Sequence, residues 1–197
     1  MASQPNPFLT VEEYIALETR LEAKYEYYFG EMFPIGLSSP AHVFIHANLM
    51  HHLATRLQGT PCRALGSDLR IHIQAAGFFA YSDVSIFCGA LAVDNHHTVT
   101  NPKVLFEILS PSSRRHDKWG KTELYRQIPS LEEYVMVEQD CYSIDRLSRQ
   151  PNGGWQETRY QGEDATLELT SVNITVPLKQ IYADVPFELA ERDPDQP

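Results

Sequence analysis

VLFEIL, at residues 104–109, is an apolar run that a single carboxylate interrupts. Such a run, ended by Pro111, is typical of a strand at the centre of a sheet. Successive side chains of a strand point to opposite faces, so Glu107 shares a face with Leu105 and Leu109. An ionised carboxylate at that position is costly unless a cation, a metal ion or a raised pKa accompanies it. The run therefore predicts either a polar network or a functional site around Glu107.

Helices and strands are expected on both sides of this strand. Thr10 and Glu13 form a capping box that begins an N-terminal helix of about three turns, and the aromatic segment 24–35 predicts a β-hairpin that turns at Gly30. Apolar residues recur at helical spacing in 116–128. Short strands are predicted at 62–65, 69–73, 81–88, 134–138, 143–147 and 155–160, and a final short helix at 178–182. This order predicts an α/β (α+β) fold, in which a mixed β-sheet is flanked by helices.

A second helix is expected to begin at Ser39 and Pro40, because serine is a frequent N-cap and proline is favoured at the first helical position. Its buried face is predicted to consist of Val43, Ala47, Met50, Ala54 and Leu57. His42 and His46 are four residues apart on this helix, a spacing that zinc sites use. The HExxH pattern is absent, and the spacing places no third ligand.

The composition indicates one globular domain. The chain has 197 residues, of which 43% are hydrophobic and 21% charged. We expect a domain at 9–185 between a flexible N-terminus, 1–8, and a flexible acidic tail, 186–197. The formal net charge of -10 argues against a protein that coats nucleic acid non-specifically. No apolar run approaches the roughly 20 residues of a membrane span, and the first residues do not predict a secretory signal.

Three widely spaced cysteines, Cys62, Cys88 and Cys141, favour a reducing compartment. Their odd and small number argues against a disulfide framework, and their spacing argues against a CxxC zinc site. We therefore expect a cytoplasmic protein.

Two more charged side chains occupy positions that predict burial. Asp83 lies in the strand-like segment YSDVSIFC, and Lys121 shares a helix face with Leu124 and Tyr125. Each has an ordinary interpretation, because a carboxylate can complete a hydrogen-bond network and a lysine can reach solvent or pair with Asp117. If these two side chains meet the carboxylate of the central strand, they can bind Mg²⁺ or Mn²⁺ and support phosphodiester hydrolysis.

Several segments together resemble the Uma-type family of restriction endonucleases, a branch of the PD-(D/E)xK nuclease superfamily. The resemblance covers about residues 9–182, and its segments are TVEEYIALE (10–18), KYEYYFGEMF (24–33), SPAHVFIHANL (39–49), GSDLRI (66–71), YSDVSI (81–86), VLFEILSPSS (104–113), HDKWGKTELYRQIPSLEEYVMV (116–137) and LKQIY (178–182). It implies a restriction-endonuclease-like sheet flanked by helices, with an N-terminal helix and β-hairpin. It also implies a metal-dependent endonuclease that acts on DNA.

The resemblance also implies the residues of a catalytic site, which fall on Glu26, Asp83, Glu107 and Lys121. Asp83 and Glu107 would bind Mg²⁺ or Mn²⁺, and Lys121 would activate or orient the attacking water. Glu31, on the other side of the hairpin turn, is the alternative to Glu26.

This chain departs from the family pattern at three positions. Ser82 replaces the proline that usually precedes the aspartate, and Phe29 replaces the aspartate of an Asp-Gly turn. Leu109 stands two residues after the glutamate, where a lysine is common in the superfamily. In this family the following helix supplies the lysine, which makes Lys121 the expected substitute.

Further roles are expected around this site. Asp117 would hydrogen-bond Lys121 and position it. The side chains expected to contact substrate are His42, Arg114, Arg115 and Lys118, the last three because a basic cluster directly follows the central strand. The resemblance further implies a homodimer, since cutting both strands of a duplex requires two sites.

Two other functions stay open at this point. The same fold could serve as a catalytically silent module that binds nucleic acid or protein, which the acidic net charge favours. The spacing of His42 and His46 is the sole support for a histidine-based metalloprotein.

Overall fold

The apolar run forms a strand, Val104–Leu109, in which every residue is buried. It lies inside a six-stranded sheet of the computed structural model, which describes residues 8–110, 114 and 116–190. Numbered in chain order, the described strands are β1 Tyr25–Tyr28, β2 Glu31–Pro34, β3 Cys62–Gly66, β4 Ile71–Ile73, β5 Phe78–Ala80, β6 Val84–Cys88, β7 Val104–Leu109, β8 Glu133–Glu138, β9 Ser143–Arg149, β10 Trp155–Gln161, β11 Thr166–Leu169 and β12 Ile174–Pro177. The helices are α1 Val11–Leu21, α2 Pro40–Arg56, α3 Thr122–Tyr125 and α4 Leu178–Ile181, with a π-helical turn at His116–Lys121 and 3-10 turns at Thr170–Val172 and Phe187–Leu189.

The six-stranded sheet is mixed, as the sequence predicts. Its strand order is β10-β9-β8-β7-β6-β3, and β7 runs parallel to β8 whereas the other neighbours are antiparallel. A second sheet has the order β2-β1-β5-β4, and β11 and β12 form a two-stranded ribbon. Neither β5 nor the ribbon was predicted from the sequence, because these strands have three or four residues and give little periodic signal.

Apolar side chains cover both faces of the six-stranded sheet. One face packs against α2 and the β11-β12 ribbon, in a cluster that includes Ile45 and Phe106. The other face packs against β4, β5 and α3, in a cluster that includes Phe78 and Leu105. The central sheet is therefore flanked on both sides, which confirms the predicted fold class.

The helix α1 begins at the predicted capping box. The hydroxyl of Thr10 accepts a hydrogen bond from the Glu13 amide at 3.2 Å, and the Glu13 carboxylate accepts one from the Thr10 amide at 2.8 Å. One turn later the buried carboxylate of Glu18 accepts hydrogen bonds from Arg70 at 2.6 Å and from the Tyr81 hydroxyl at 3.0 Å. These contacts join α1 to the segment before β6 and hold the Tyr81 ring in place.

The strands β1 and β2 form the predicted hairpin. Its two turn residues, Phe29 and Gly30, have φ angles of 48° and 87°. Positive φ at both positions is typical of the type I′ turn that suits a two-residue hairpin. A Cβ atom at Gly30 would also collide with Phe8, so glycine is required there on two grounds.

Phe29→Asn is expected to raise the free energy of unfolding by about 1 kcal/mol, because asparagine adopts the left-handed conformation more readily than phenylalanine does. The Phe29 side chain is 72% exposed, so its removal costs little burial. Urea denaturation measures the change. Phe33→Asn is the control, since Phe33 lies in β2 without a positive φ and should show no gain. A Phe29→Asn variant less stable than the wild type would contradict the strain at this turn.

The helix α2 has the predicted N-cap but buries a different face. Ser39 accepts a hydrogen bond from the His42 amide at 3.1 Å. The buried residues are Ala41, Ile45, Leu49 and Leu53, whereas Val43, Ala47 and Ala54 of the predicted face are exposed. Apolar residues occur around the whole helix, so hydrophobicity alone does not select the face, and the larger branched side chains take the sheet side. This orientation directs His42 and His46 toward Asp83.

The cysteine count argued for a reducing compartment, but Cys62 and Cys88 form a disulfide between β3 and β6. The two residues are 26 positions apart and lie directly opposite each other in the strand register, a proximity that their spacing in the sequence does not reveal. Cys141 is free and exposed. A disulfide removes the argument from cysteines for a reducing cytoplasm.

The domain boundaries stay predictions. Most of the expected flexible ends, residues 1–7 and 191–197, lies outside the described residues. At 186–190 the chain remains packed, because Phe187 contacts the core and Ala190 is buried. Among the described helices, none combines the length and the apolar character that crossing a bilayer requires.

Candidate active site

Asp83, directly before β6, lies close to Glu107 of β7. In the antiparallel pair β6-β7 the last paired residues are Val84 and Phe106, so continuing the register by one position places Asp83 opposite Glu107. The Asp83 carboxylate accepts a hydrogen bond from the backbone amide of Ile108 at 2.7 Å. Opposing residues of an antiparallel pair have Cβ atoms about 5 Å apart. The strand register therefore brings these two acids together.

Lys121 directs its ammonium group to three carboxylates, one of which is that of Glu107. Its Nζ atom lies 2.7 Å from Glu26 Oε1, 3.2 Å from Glu107 Oε1 and 3.1 Å from Asp117 Oδ1. The lysine ends the π-helical turn, a structure that occurs frequently at functional sites. None of the four side chains is more than 9% exposed. We call Glu26, Asp83, Glu107, Asp117 and Lys121 together the acidic site.

The hairpin supplies Glu26 and not Glu31 to this site. Glu26 lies in β1 and is buried, whereas Glu31 begins β2 and is exposed. The position at which a lysine is common in the superfamily is occupied by Leu109, which is fully buried in the core. The lysine therefore comes from the segment after β7, as the resemblance implies.

Negative charge exceeds positive charge in the acidic site. Burial raises the pKa of Glu107 well above its ordinary value, and repulsion from the other three carboxylates adds to this effect although Lys121 opposes it. Burial alone would lower the pKa of Lys121, but the carboxylates around it, Glu107 foremost, raise that pKa above its ordinary value. Burial also favours a high pKa for Asp83, but a hydrogen bond and positive charge from His42 bring the pKa below its ordinary value. The lysine is therefore protonated, and Asp83 is ionised.

Two histidines of α2 contact Asp83. His42 Nε2 lies 3.2 Å from Asp83 Oδ1, and His46 Nε2 lies 3.1 Å from the Asp83 backbone oxygen. Because the two histidines are four residues apart on the helix, both rings contact the same aspartate. Over the described ranges, no group of three or more His, Cys, Asp or Glu side chains is arranged to hold a metal ion. The described residues therefore offer no third ligand for a metal site at His42 and His46.

Tyr125 was not among the predicted site residues, but it contacts the acidic site. Its buried hydroxyl donates a hydrogen bond to Glu107 Oε1 at 2.7 Å. Tyr134 donates to the backbone oxygen of Asp117 at 3.2 Å. The available signal was the spacing, because Tyr125 follows Lys121 by four residues on the same helical face.

A model of the Uma2 family, described as "Putative restriction endonuclease", matches residues 11–179. The chain belongs to the Uma2 family. The match covers every residue of the acidic site and confirms the resemblance found in the sequence.

Two related proteins and a solved structure are similar to this chain over most of its length. "Uncharacterized protein slr1290" from Synechocystis is 32% identical over 94% of this chain and 97% of its own length. "Uncharacterized protein sll1609" from the same organism is 30% identical over 84% of this chain and 95% of its own length. The crystal structure of a putative nuclease belonging to DUF820 from Anabaena variabilis has a TM-score of 0.71 at 17% identity, over 89% of this chain and 98% of that one. This Uma2 chain therefore has a nuclease-like fold.

The basic residues expected to contact substrate have acidic partners in this Uma2 protein. Arg114 Nη2 lies 2.8 Å from Glu138 Oε2 and 3.2 Å from Asp140 Oδ2. Lys118 Nζ lies 2.8 Å from the other oxygen of Glu138 and 3.3 Å from Asp145 Oδ2. A phosphate would have to compete with these carboxylates. Arg115 lies outside the described residues.

The acidic site of this Uma2 protein offers oxygen ligands, which Mg²⁺ and Mn²⁺ prefer. Three of its carboxylates share one ammonium group, so their charge is not fully compensated. Asp117 Oδ1 is buried and accepts no hydrogen bond of regular geometry from the described residues, although it lies close to Lys121. The excess of buried negative charge and the oxygen donors therefore suit a divalent cation held by two carboxylates, since no three of these side chains are arranged as ligands among the described residues.

Proposed function

We propose that this protein is a metal-dependent endonuclease that hydrolyses phosphodiester bonds in DNA. The observation that supports this most strongly is the convergence of carboxylates from β1, β7 and the π-helical turn on a single buried lysine, with Asp83 lining the same cleft. The acidic site lies at the base of a cleft, so a substrate can reach it. Membership of a family described as restriction endonucleases agrees with this chemistry.

Asp83 and Glu107 would hold the metal ion, Mg²⁺ or Mn²⁺. When bound, such an ion neutralises charge on the phosphate oxygens and lowers the pKa of the attacking water. His42 and the Ile108 amide fix the Asp83 carboxylate by hydrogen bonds, so its position does not depend on substrate. Tyr125 holds Glu107 in the same way.

Lys121 would act as a hydrogen-bond donor. Its raised pKa keeps the ammonium group protonated, so it orients the attacking water and stabilises negative charge instead of removing a proton. Glu26 and Asp117 fix the ammonium group from two sides at 2.7 and 3.1 Å. Glu26 thus completes the catalytic set, and Asp117 positions the lysine.

Asp83→Asn is expected to lower Mg²⁺-dependent cleavage of a DNA plasmid by about a hundredfold or more, because it removes a charged ligand from the site. The amide retains an oxygen acceptor for Ile108, so the fold should persist. Glu31→Gln is the matched control, since this exposed glutamate lies on the same hairpin as Glu26 but away from the acidic site. Gel electrophoresis of plasmid forms, with circular dichroism for folding, measures both effects.

Equal loss of cleavage in both variants would contradict the assignment of Asp83. A folded wild type that binds DNA but cleaves none with Mg²⁺ or Mn²⁺ would favour the alternative, a catalytically silent interaction module. The homodimer remains a prediction of the family resemblance.

A further inference from the structure

A second cleft continues from the acidic site along α2. Most of its lining, including His42 and Asp83, also lines the cleft above the acidic site. The second cleft then extends toward the end of α1 and the start of β4. We call it the annex, and besides Asp83 its polar lining is Lys24, Ser38, His42, His46, Ser67 and Tyr81.

The annex differs from the acidic site in charge. Lys24, His42 and His46 line it, and Asp83 at the shared boundary is the one carboxylate of its lining among the described residues. The acidic site, in contrast, has four carboxylates and one lysine. An anionic group therefore meets less repulsion in the annex than above the acids.

Lys24 can exchange its present partner for an anionic ligand. Its Nζ atom donates to the backbone oxygen of Ser67 at 2.9 Å and pairs with Asp68 at 2.5 Å. The Lys24 side chain is 38% exposed and that of Asp68 is 97% exposed. An ion pair in such contact with water contributes little to stability, so a phosphate can replace the aspartate at small cost. The carbonyl of Ser67 keeps the ammonium group at the annex.

The annex also has a fixed aromatic ring. The hydroxyl of Tyr81 donates to Glu18, which Arg70 holds on the other side. Exposed apolar side chains of Ile35 and Val43 lie along the same lining. A rigid ring beside apolar groups is the surface on which single-stranded nucleic acids stack their bases, with about 1–3 kcal/mol per base.

We propose that the annex binds the nucleotide next to the cleaved phosphate, with its phosphate at Lys24 and its base against Tyr81. This inference rests on the proposed function, because the neighbouring phosphate must then lie above the acidic site. A base can reach Tyr81 only when it is unpaired, since pairing and stacking occupy its edges and faces in a duplex. The substrate is therefore single-stranded or locally unpaired DNA.

Deoxythymidine monophosphate is a suitable probe, because it carries one phosphate and one base and does not need the metal. In EDTA, chemical-shift titration of the isotope-labelled protein should show saturable binding with shifts at annex residues. Lys24→Gln is expected to weaken binding about tenfold, which corresponds to about 1.4 kcal/mol for a lost charged hydrogen bond. Lys103→Gln is the matched control, because Lys103 pairs with Glu132 at 2.8 Å in a partly exposed ion pair outside the annex.

Tyr81→Leu should also weaken binding about tenfold through loss of base stacking. This variant breaks the hydrogen bond to Glu18 and requires a check of folding. Lys24→Gln changes an exposed side chain and keeps the test valid if Tyr81→Leu does not fold. The absence of saturable binding, or equal affinity in Lys24→Gln and Lys103→Gln, would overturn the annex.

Cleavage assays separate failure of the annex from failure of the proposed function. With Mg²⁺, a single-stranded oligonucleotide should be cut faster than the same sequence in a duplex, and Lys24→Gln should raise KM about tenfold with little change in kcat. Preference for the duplex would overturn the annex and leave the endonuclease intact. Nucleotide binding that depends on Lys24, without any cleavage by the wild type, would support the annex and reject the endonuclease.

Discussion

Lys121→Met is expected to lower the free energy of unfolding by about 3–5 kcal/mol, because it leaves buried carboxylates without their cation. The ammonium group contacts Glu26, Glu107 and Asp117, and the lysine side chain is 8% exposed. Methionine has a similar volume, so a change in packing accounts for little of the loss. Urea denaturation in EDTA measures the effect. Cleavage should fall by about a hundredfold or more, since the donor to the attacking water is also lost.

Lys103→Met is the control for this prediction. Its ion pair with Glu132 is partly exposed, with 26% and 48% of the side chains accessible, so its loss should cost less than about 1 kcal/mol. Adding Glu26→Gln to Lys121→Met should restore part of the stability, because one of the unpaired charges is removed. Equal effects of Lys121→Met and Lys103→Met would show that the lysine is not the counter-charge of the acidic site.

The central strand and the position of Glu107 could be predicted because local rules determine them. Six residues with one carboxylate specify a buried strand, and alternation assigns Glu107 to the face of Leu105 and Leu109. The capping box of α1 and the hairpin at Gly30 were predictable for the same reason, since each depends on residues a few positions apart.

The features that sequence reasoning missed depend on tertiary packing. The buried face of α2 was misassigned, because Val43 and Phe44 are as apolar as Ile45 and only docking on the sheet selects among them. The disulfide of Cys62 and Cys88 depends on the register of β3 and β6, which spacing along the chain does not encode.

The acidic site was predictable in part. Chemistry and the family resemblance selected Glu26, Asp83, Glu107 and Lys121, but their contacts required the fold. The annex was not predictable, because Lys24, Ser67 and Tyr81 come from three separate segments that only the fold brings together. The partners of Arg114 and Lys118 were also missed, since Glu138 and Asp145 approach them from β8 and β9.

Glu107→Gln is expected to stabilise the metal-free protein by about 1–3 kcal/mol at pH 8, although it removes a proposed metal ligand. The folded state raises the pKa of Glu107 above its ordinary value of 4.5. Below that value the carboxyl group is protonated in both states and the substitution changes little. As the pH rises above it, the unfolded chain releases the proton more readily than the folded chain, so the wild type loses stability that the glutamine variant keeps.

Urea denaturation at pH 5 and pH 8, with EDTA and then with Mg²⁺, tests this prediction. Because an ion that binds the folded state alone stabilises it by about 2.7 kcal/mol at a hundred times its Kd, Mg²⁺ should stabilise the wild type and not Glu107→Gln. Glu133→Gln is the matched control, since this glutamate is buried on the neighbouring strand but accepts hydrogen bonds from Arg146, Thr170 and Ser171. That variant should be less stable than the wild type. If Glu107→Gln were destabilised like Glu133→Gln, Glu107 would have a structural role. A carboxylate that is present to bind a cation should instead lower the free energy of unfolding of the metal-free protein.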